Sequence, residues 1–346
     1  MAKKVYVGMS GGVDSSVTAA LLKEQGYIVT GVYMKNWTQD FPGFECPWKQ
    51  DYQDAKRVAV RLGIDFKVFD FQKEYKQKVV DYMIAEYQAG RTPNPDIMCN
   101  QEVKFKLFLE TALAEGAELI ATGHYARTRD GQLLTARNAA KDQTYFLYRV
   151  TEAALQKTLF PIGEFKTKAE VRALAKKFGL STAAKKDSQG ICFVGEIGIK
   201  EFLQNYVTTE PGAIIDQQGK VIGEHEGAIF YTIGQRHGLN VGGGLPYYVV
   251  GKDMKKNEVY VTTDLNDAKL WHTEIPVTDI HWINGPPINQ PLQVRTRYRG
   301  PLLDCSIDRQ GKAWVIKTKD EVRAIAPGQS AVIYSGQQVL GGGVIT

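Results

Sequence analysis

The sequence of 346 residues has few features of secreted, membrane-spanning or metal-stabilised proteins. Its four cysteines, Cys46, Cys99, Cys192 and Cys305, form no C-x-x-C pair, so neither a disulfide scaffold nor a common zinc site is predicted. No run approaches the ~18 apolar residues of a membrane span, and the first residues lack the apolar stretch of a signal peptide. We therefore expect a cytoplasmic protein in a reducing compartment, with no membrane partner.

The composition is that of an ordinary folded chain. Hydrophobic residues make up 43% and charged residues 23%, which excludes a disordered protein. The 34 glycines and 13 prolines are too few for a low-complexity chain. A net charge of +5 permits an anionic partner without requiring one. The length predicts two or three domains.

The first half of the sequence alternates short apolar runs with amphipathic segments, as βαβ units do. Ala55, Val58 and Ala59 lie on one face of a predicted helix, and the capping box from Thr167 to Glu170 begins a later helix. We expect an α/β domain with a doubly wound parallel sheet. Four apolar runs predict its buried strands: 5–7, 28–33, 66–69 and 119–121.

After about residue 205 the helical period disappears. Alternating segments rich in β-branched and aromatic residues are separated by turn clusters at 216–219 and 308–311. The back half is therefore predicted to be mainly β, with a C-terminal β-barrel that the turn at Gly285 introduces. The expected domains are 1–204 (α/β), 205–270 (a small central β module) and 271–346 (the barrel).

A glycine-rich string runs from Gly8 to Ser16, between a predicted strand and a predicted helix. Such a turn directs backbone N–H groups and the positive end of the helix dipole at one point, which suits phosphate. The string lacks the Gly-Lys-Ser/Thr ending of a Walker A loop and is not G-x-G-x-x-G. The structural alternative is a tight turn in which Asp14 or Ser15 caps the helix.

The string resembles the loop of the ATP pyrophosphatases, which cleave ATP between the α- and β-phosphates and adenylate a substrate oxygen. ATP is then expected with Mg²⁺, because the metal neutralises phosphate charge. The resemblance implies that the nucleotide is held by Gly8, Met9, Ser10, Gly11, Gly12, Val13, Asp14 and Ser15.

Two cysteines lie in polar, turn-like segments. Cys99 follows a stretch with two prolines, and Cys192 lies in the segment 185–193. Structural cysteines usually lie on apolar elements, so this setting favours reactive thiols, with Lys104, Lys185 and Lys186 close enough in sequence to favour thiolates. Considered alone, each of these two cysteines is explained equally well as a small side chain that packs in the protein interior.

The other two cysteines carry no functional signal. Cys305 alternates with Leu303 and Ile307 on one face of a predicted strand, so we expect it in the core. Cys46 lies between an acidic residue and a proline, in no pattern that indicates chemistry.

Seven segments, in order, resemble the bacterial tRNA-specific 2-thiouridylases, and together they span almost the whole chain. The resemblance implies ATP-dependent thiolation at C2 of the wobble uridine, U34, in the tRNAs for Lys, Glu and Gln. The sulfur donor would be a relay carrier or a cysteine desulfurase. The segments are the pyrophosphatase loop, 92–100, 121–125, 141–147, 186–193, 231–239 and 326–329.

The resemblance also assigns roles to single residues. Cys192 would carry a persulfide, and Cys99 would attack it and leave a Cys99–Cys192 disulfide, which needs Cα atoms within ~7 Å. Asp96 would be the acid/base residue, although its pattern alone favours a turn cap. Met34 and Gly123 would line the nucleotide. The implied tRNA contacts are Asn94, Pro95, Asp96, His124, Lys141, Asp142, Gln143, Thr144 and Gln329.

Some of these contacts have structural alternatives. A lone histidine such as His124, at the carboxyl edge of a sheet, is as readily a hydrogen-bonded structural residue. Gln329 stands in a Pro-Gly turn, where turn chemistry explains it equally well.

One indication of RNA binding is independent of the resemblance. Arg295, Arg297 and Arg299 have the spacing that places three side chains on one face of a strand, with Tyr298 available for stacking. A solvated edge strand that resists aggregation explains the same pattern.

Two other function classes stay open at this point. One is an adenylating enzyme for a small metabolite, which would leave the cysteine pair and the β-rich half without a role. The other is an RNA-binding protein without activity.

Overall fold

The computed structural model describes residues 2–41, 45–186, 198–239, 241–242, 244–311 and 313–346. The segment around Cys192 therefore lies outside the described residues, as do the predicted Cys99–Cys192 disulfide and the distance it requires. Within the described ranges, no helix is both long and apolar enough to span a bilayer.

A five-stranded parallel sheet forms the centre of the first half of the chain. Its order is β3-β2-β1-β4-β7, and all four predicted strands are confirmed. The strands are β1 (Lys4–Gly8), β2 (Ile28–Lys35), β3 (Asp65–Asp70), β4 (Leu119–Ala121) and β7 (Thr158–Leu159).

Helices cover both faces of this sheet, as the doubly wound prediction requires. Val5 and Val7 pack into one core with α1, α2 and α8, whereas Tyr6 packs into the opposite core. The helices are α1 (Val13–Glu24), α2 (Trp48–Leu62), α3 (Gln72–Tyr75), α4 (Asp81–Gln88), α5 (Pro95–Met98), α6 (Phe108–Ala114), α7 (Glu152–Gln156), α8 (Lys168–Lys177) and α9 (Ile199–Gln204). π-Helical turns at Lys76–Val80 and Cys99–Leu107 join α3 to α4 and α5 to α6.

The back half is β-rich, as predicted. A central sheet has the order β10-β11-β8-β9, and six antiparallel strands close into a barrel through the pairing of β12 with β17. The strands are β8 (Gly212–Ile215), β9 (Val221–His225), β10 (Tyr248–Asp253), β11 (Glu258–Thr262), β12 (Trp271–Trp282), β13 (Leu292–Arg295), β14 (Leu303–Gln310), β15 (Ala313–Arg323), β16 (Ser330–Ser335) and β17 (Gln338–Ile345).

The Gly285 turn does not introduce the barrel, which is a correction. The first barrel strand, β12, begins at Trp271 and ends before that turn, because it pairs with β15 from its first residue and with β17 from Val277 onward.

A hairpin from the first half joins the barrel sheet. It consists of β5 (Ala126–Arg129) and β6 (Gln132–Thr135), and β6 pairs with β17 through Leu133 and Val339. Both of these side chains are fully buried in a core shared by the two halves. The barrel is thus packed onto the α/β part of the chain, and the division at 204 and 270 stays a prediction.

Candidate active site at the carboxyl edge of the parallel sheet

The glycine-rich loop connects β1 to α1 with the geometry of an anion cradle. Gly12 is the N-cap of α1 and contributes no side-chain cap, so the first-turn N–H groups point outward from the helix. Ser15 Oγ ties the loop together, 3.2 Å from both Ser10 N and Gly12 O. Gly11 has φ +73°, and a Cβ there would lie 2.4 Å from the Asp51 carbonyl oxygen. Only glycine fits this turn.

Asp14 does not cap the helix; it binds a lysine that sequence analysis missed. Lys168 Nζ lies 2.8 and 2.9 Å from the two Asp14 carboxylate oxygens, and the Tyr125 hydroxyl donates to the same group at 3.1 Å. Lys168 is the first residue of α8, which begins at the predicted capping box: Thr167 Oγ1 accepts from Glu170 N. A cation therefore lies beside the loop, and the only sequence signal for it was the start of that helix.

The two residues predicted to line the nucleotide lie against the loop. A Cβ on Gly8 would be 2.9 Å from Met34 Cε, and a Cβ on Gly123 would be 2.6 Å from Ser15 N. The ends of β1, β2 and β4 thus bring the loop, Met34 and Gly123 to one point.

Asp96 and Cys99 belong to a helix, which corrects the expectation of an irregular loop. Pro95 occupies the first helical position, where its missing N–H costs nothing. Asn94 Oδ1 accepts from Asp96 N at 3.1 Å and from Ile97 N at 3.4 Å, so Asn94 is the cap and Asp96 is not. The helix continues through the π-helical turn that begins at Cys99. Such turns are rare and often mark functional sites.

Burial dominates the electrostatics of this helix. Cys99 is 4% exposed, and desolvation raises the pKa of its thiol. Desolvation also raises the pKa of Asp96. The Lys104 ammonium opposes both shifts, in the direction that sequence analysis expected, but its effect is smaller than that of burial. The protonated thiol form of Cys99 is therefore favoured. Lys185, another lysine expected to favour a thiolate, forms ion pairs with Asp51 and Asp54 on α2.

His124 connects the loop to this helix. Its Nδ1 lies 2.7 Å from Thr122 Oγ1, and its ring contacts Phe105 (centroids 5.6 Å apart) and Phe160. Burial, aided by Lys104, lowers the pKa of the imidazole well below its usual value, so the ring is neutral. These contacts support the structural alternative, and a direct contact between His124 and tRNA stays a prediction.

The three barrel arginines do not share a strand face, and that expectation was wrong. β13 ends at Arg295, and the chain then turns, with Arg299 at φ +59°. Arg295 is largely buried, 3.9 Å from Asp142, with its guanidinium 5.4 Å from the centre of the Tyr334 ring. Only Arg297 and Arg299 are exposed.

An open groove of about 470 Å³ nevertheless combines several predicted tRNA contacts. It is lined by Ala139, Ala140, Lys141, Asp142, Arg295, Tyr298 and Arg299. The Lys141 and Arg299 side chains and the Tyr298 ring line this open groove together, and such a combination of cations and an aromatic ring suits a phosphodiester backbone.

Asp142, Gln143 and Thr144 act mainly inside the protein. The Asp142 carboxylate accepts from Ala136 N and from the Thr144 hydroxyl, and Thr144 has no exposed surface. Gln143 Oε1 accepts from Tyr125 N. The Thr144 hydroxyl thus satisfies the buried Asp142 carboxylate, and a contact between Thr144 and tRNA stays a prediction.

The remaining predicted residues are Gln329 and the two other cysteines. Gln329 Nε2 donates to the Thr92 carbonyl oxygen at 2.8 Å, close to the Asn94 cap. Cys305 packs against the barrel core as expected, and burial raises its pKa to about 12. Cys46 is buried, with its pKa also raised by burial.

Comparison with known proteins identifies the family. Relatives named tRNA-specific 2-thiouridylase MnmA from Methylobacillus flagellatus and Bacillus subtilis are 49% and 48% identical to this chain. The alignments cover 100% and 99% of this chain and 99% and 94% of the relatives. This chain belongs to the tRNA-specific 2-thiouridylase family. The resemblance seen in the seven segments is therefore confirmed.

Three family models divide the thiouridylase chain in order. They are described as the tRNA methyl transferase HUP domain (residues 3–196), the tRNA methyl transferase PRC-barrel domain (200–263) and the aminomethyltransferase beta-barrel domain (272–345). The first of these contains the loop, Asp96, Cys99 and His124, so the candidate site lies within it.

Replacing Lys104 tests the electrostatic part of this site. Lys104→Met should raise the pKa of Cys99 further, because the cation that favours the thiolate is lost while burial persists. The pH at which Cys99 alkylation reaches half of its maximal rate should therefore rise, because less of the thiol is ionised at any given pH. Lys106→Met, on the same helix but paired with Glu102, is the control. Equal midpoints in the two variants would contradict the role of Lys104.

Proposed function

We propose that this protein thiolates C2 of U34 in the tRNAs for Lys, Glu and Gln, by adenylating the base and transferring sulfur from a cysteine persulfide. Membership of the family supports ATP-dependent tRNA 2-thiolation. The observation that carries the mechanism is a continuous set of contacts: the loop contacts Gly123, the adjoining His124 contacts Phe105, and Phe105 lies on the helix of Asp96 and Cys99. These contacts support the proposal that the activating loop and the Cys99 thiol serve one site.

The first step makes the uridine O2 a leaving group. O2 attacks the α-phosphate of ATP, the α–β bridging bond breaks, and pyrophosphate leaves. The N–H groups of the loop and the start of α1 would stabilise the charge that develops on the phosphates, and Lys168 supplies a cation beside them. Without a Walker lysine, the loop suits release of pyrophosphate better than transfer of the γ-phosphate.

Mg²⁺ fits this arrangement through the nucleotide. The ion commonly uses one or two carboxylates together with substrate phosphates. Asp14, at the loop, is the carboxylate that would hold it, and the ion would neutralise phosphate charge when ATP is bound. Among the described residues no group of three His, Cys, Asp or Glu side chains forms a metal cage, consistent with a metal that arrives with its phosphates.

The second step exchanges oxygen for sulfur. Cys192 would carry the persulfide received from a donor protein, either a relay carrier or a cysteine desulfurase. The Cys99 thiolate attacks the inner sulfur, the S–S bond of the persulfide breaks, and hydrosulfide leaves with both electrons of that bond. Hydrosulfide then displaces AMP at C2, and a Cys99–Cys192 disulfide remains for an external dithiol to reduce. The direction of the Asp96 pKa shift, upward through burial, suits a carboxyl group that takes up and returns a proton.

Reconstitution with unmodified tRNA tests the function as a whole. With ATP, Mg²⁺, a persulfide donor and a dithiol reductant, AMP and pyrophosphate should form only when tRNA is present, and nucleoside mass spectrometry should find sulfur at U34. Asp14→Asn should abolish both products while the exposed barrel variant Asp320→Asn keeps them. Release of ADP and phosphate, or turnover without tRNA, would refute adenylation of the base.

The cysteines should separate into two functional and two silent residues. Cys192→Ser should carry no persulfide, whereas Cys99→Ser should accept one and fail to release its sulfur, because a hydroxyl attacks sulfur far more weakly than a thiolate. Cys46→Ser and Cys305→Ser should retain thiolation. Labelling with sulfur-35 measures the loaded persulfide, and label that persists on Cys192→Ser would contradict the assignment.

The groove beside the barrel should contribute to tRNA affinity. Arg299→Ala and Lys141→Ala should each make the slope of log K against log salt shallower by about 0.7 to 0.9, because each removes one phosphate contact. Arg309→Ala, near the end of β14, is the matched control. Filter binding at several salt concentrations, on monodisperse protein, gives the slopes. Slopes equal to that of the control would mean that the groove does not bind phosphate.

A further inference from the structure

Three parts of the fold meet at Thr92, two residues before the Asn94 cap. From the barrel, the Pro327 carbonyl oxygen accepts from Thr92 N at 2.7 Å, and Gln329 Nε2 donates to Thr92 O at 2.8 Å. From the central module, Thr232 Oγ1 lies 3.0 Å from Thr92 Oγ1. Both backbone polar groups and the side chain of Thr92 are therefore bonded to elements remote in sequence.

Thr232 belongs to the segment 231–239, to which the proposed chemistry gives no role. The segment is itself held firmly. Thr232 N donates to Gln235 Oε1 at 3.0 Å, Gly234 N donates to Val249 O at 2.8 Å, and the half-buried Lys252 ammonium donates to Tyr231 O at 2.7 Å. The Thr232 hydroxyl is thus presented to Thr92 from a fixed backbone.

The backbone between Thr92 and Asp96 has little freedom to absorb a displacement. Pro93 and Pro95 fix two φ angles, and the Asn94 side chain binds the first turn of the helix. On the barrel side, a Cβ on Gly328 would lie 2.7 Å from Thr92 N, so the backbone segments around Gly328 and Thr92 are already in close contact. A shift at Thr92 is therefore passed to Asp96 and Cys99.

We infer that Thr232 is a positioning residue of the thiolation reaction: its bond to Thr92 sets the position of the helix that carries Asp96 and Cys99. This inference rests on the proposed function, since it concerns the rate of that reaction. Thr232 touches neither substrate nor reacting atoms. Its effect should appear in the catalytic step, because small misplacements of reacting groups cost rate more than they cost binding.

Thr232→Val removes the hydroxyl and keeps the shape, and Thr232→Ser keeps the hydroxyl. Thr232→Val should lower kcat for thiolation roughly three- to tenfold, the effect of one lost hydrogen bond, with little change in the KM for ATP or in tRNA affinity. Thr232→Ser should recover wild-type kcat to within about twofold. Thr263→Val, which removes a hydroxyl that binds Gln217 in the same module, should match the wild type.

Thr92→Val provides a second route to the same bond. The double variant Thr92→Val with Thr232→Val should be no slower than either single variant, because both remove one interaction. Without any substrate, alkylation of Cys99 should be faster in Thr232→Val than in Thr232→Ser, since loosening the helix start exposes the buried thiol.

The outcomes separate the inference from the function on which it rests. Absence of U34 thiolation by the wild-type protein would refute the proposed function. Normal wild-type thiolation together with an unchanged kcat in Thr232→Val, or additive losses in the double variant, would refute the positioning role. A lower melting temperature in Thr232→Val that Thr232→Ser shares, with kcat unchanged in both, would assign the bond to domain packing alone and overturn the inference.

Discussion

The site depends on the parallel pairing of β1 with both of its neighbours. Val7 pairs with Gly31 of β2 and with Ala121 of β4, so all three strands end at the same edge of the sheet. The glycine-rich loop, Met34 and Gly123 follow from that register. The pairing also brings the Gly123 backbone so close to Ser15 that no side chain fits there. An anion cradle is thereby formed largely from backbone, which needs no reorganisation when a phosphate arrives.

Burial and charge shift the pKa values of Asp96 and Cys99 in opposite directions. Removing Cys99 and Asp96 from water raises both pKa values, and the same dry surroundings strengthen the field of Lys104 on them. Because burial dominates, the free enzyme holds Cys99 as a thiol of low reactivity. A buried cysteine held as the thiol resists oxidation, because oxidation proceeds through the thiolate and follows exposure.

Local patterns predicted the elements well, whereas contacts between distant segments were out of reach. The capping box at Thr167 and the strand around Val7 were predicted because period and cap chemistry are local. The ion pair between Asp14 and Lys168 was missed because the two residues meet only in the folded protein. The prediction of one strand through the three arginines failed because β13 ends at Arg295 and the chain then turns, with Arg299 at a positive φ that no residue pattern indicated. Reading Pro95 as a helix start would have placed Cys99 correctly.

Among the contacts that pack the barrel onto the α/β part of the chain, two reach the candidate site. Tyr125 donates to Asp14 at the loop, and the next residue begins the hairpin whose second strand pairs with β17. At the other end of the site, Gln329 binds the backbone just before the Asn94 cap. Ile345 N, at the end of β17, donates to Gln329 O, so the two attachments are joined to each other within the barrel. Both attachments therefore end at the candidate site: one reaches Asp14 through Tyr125, and the other reaches Thr92, just before the Asn94 cap of the helix that carries Asp96 and Cys99.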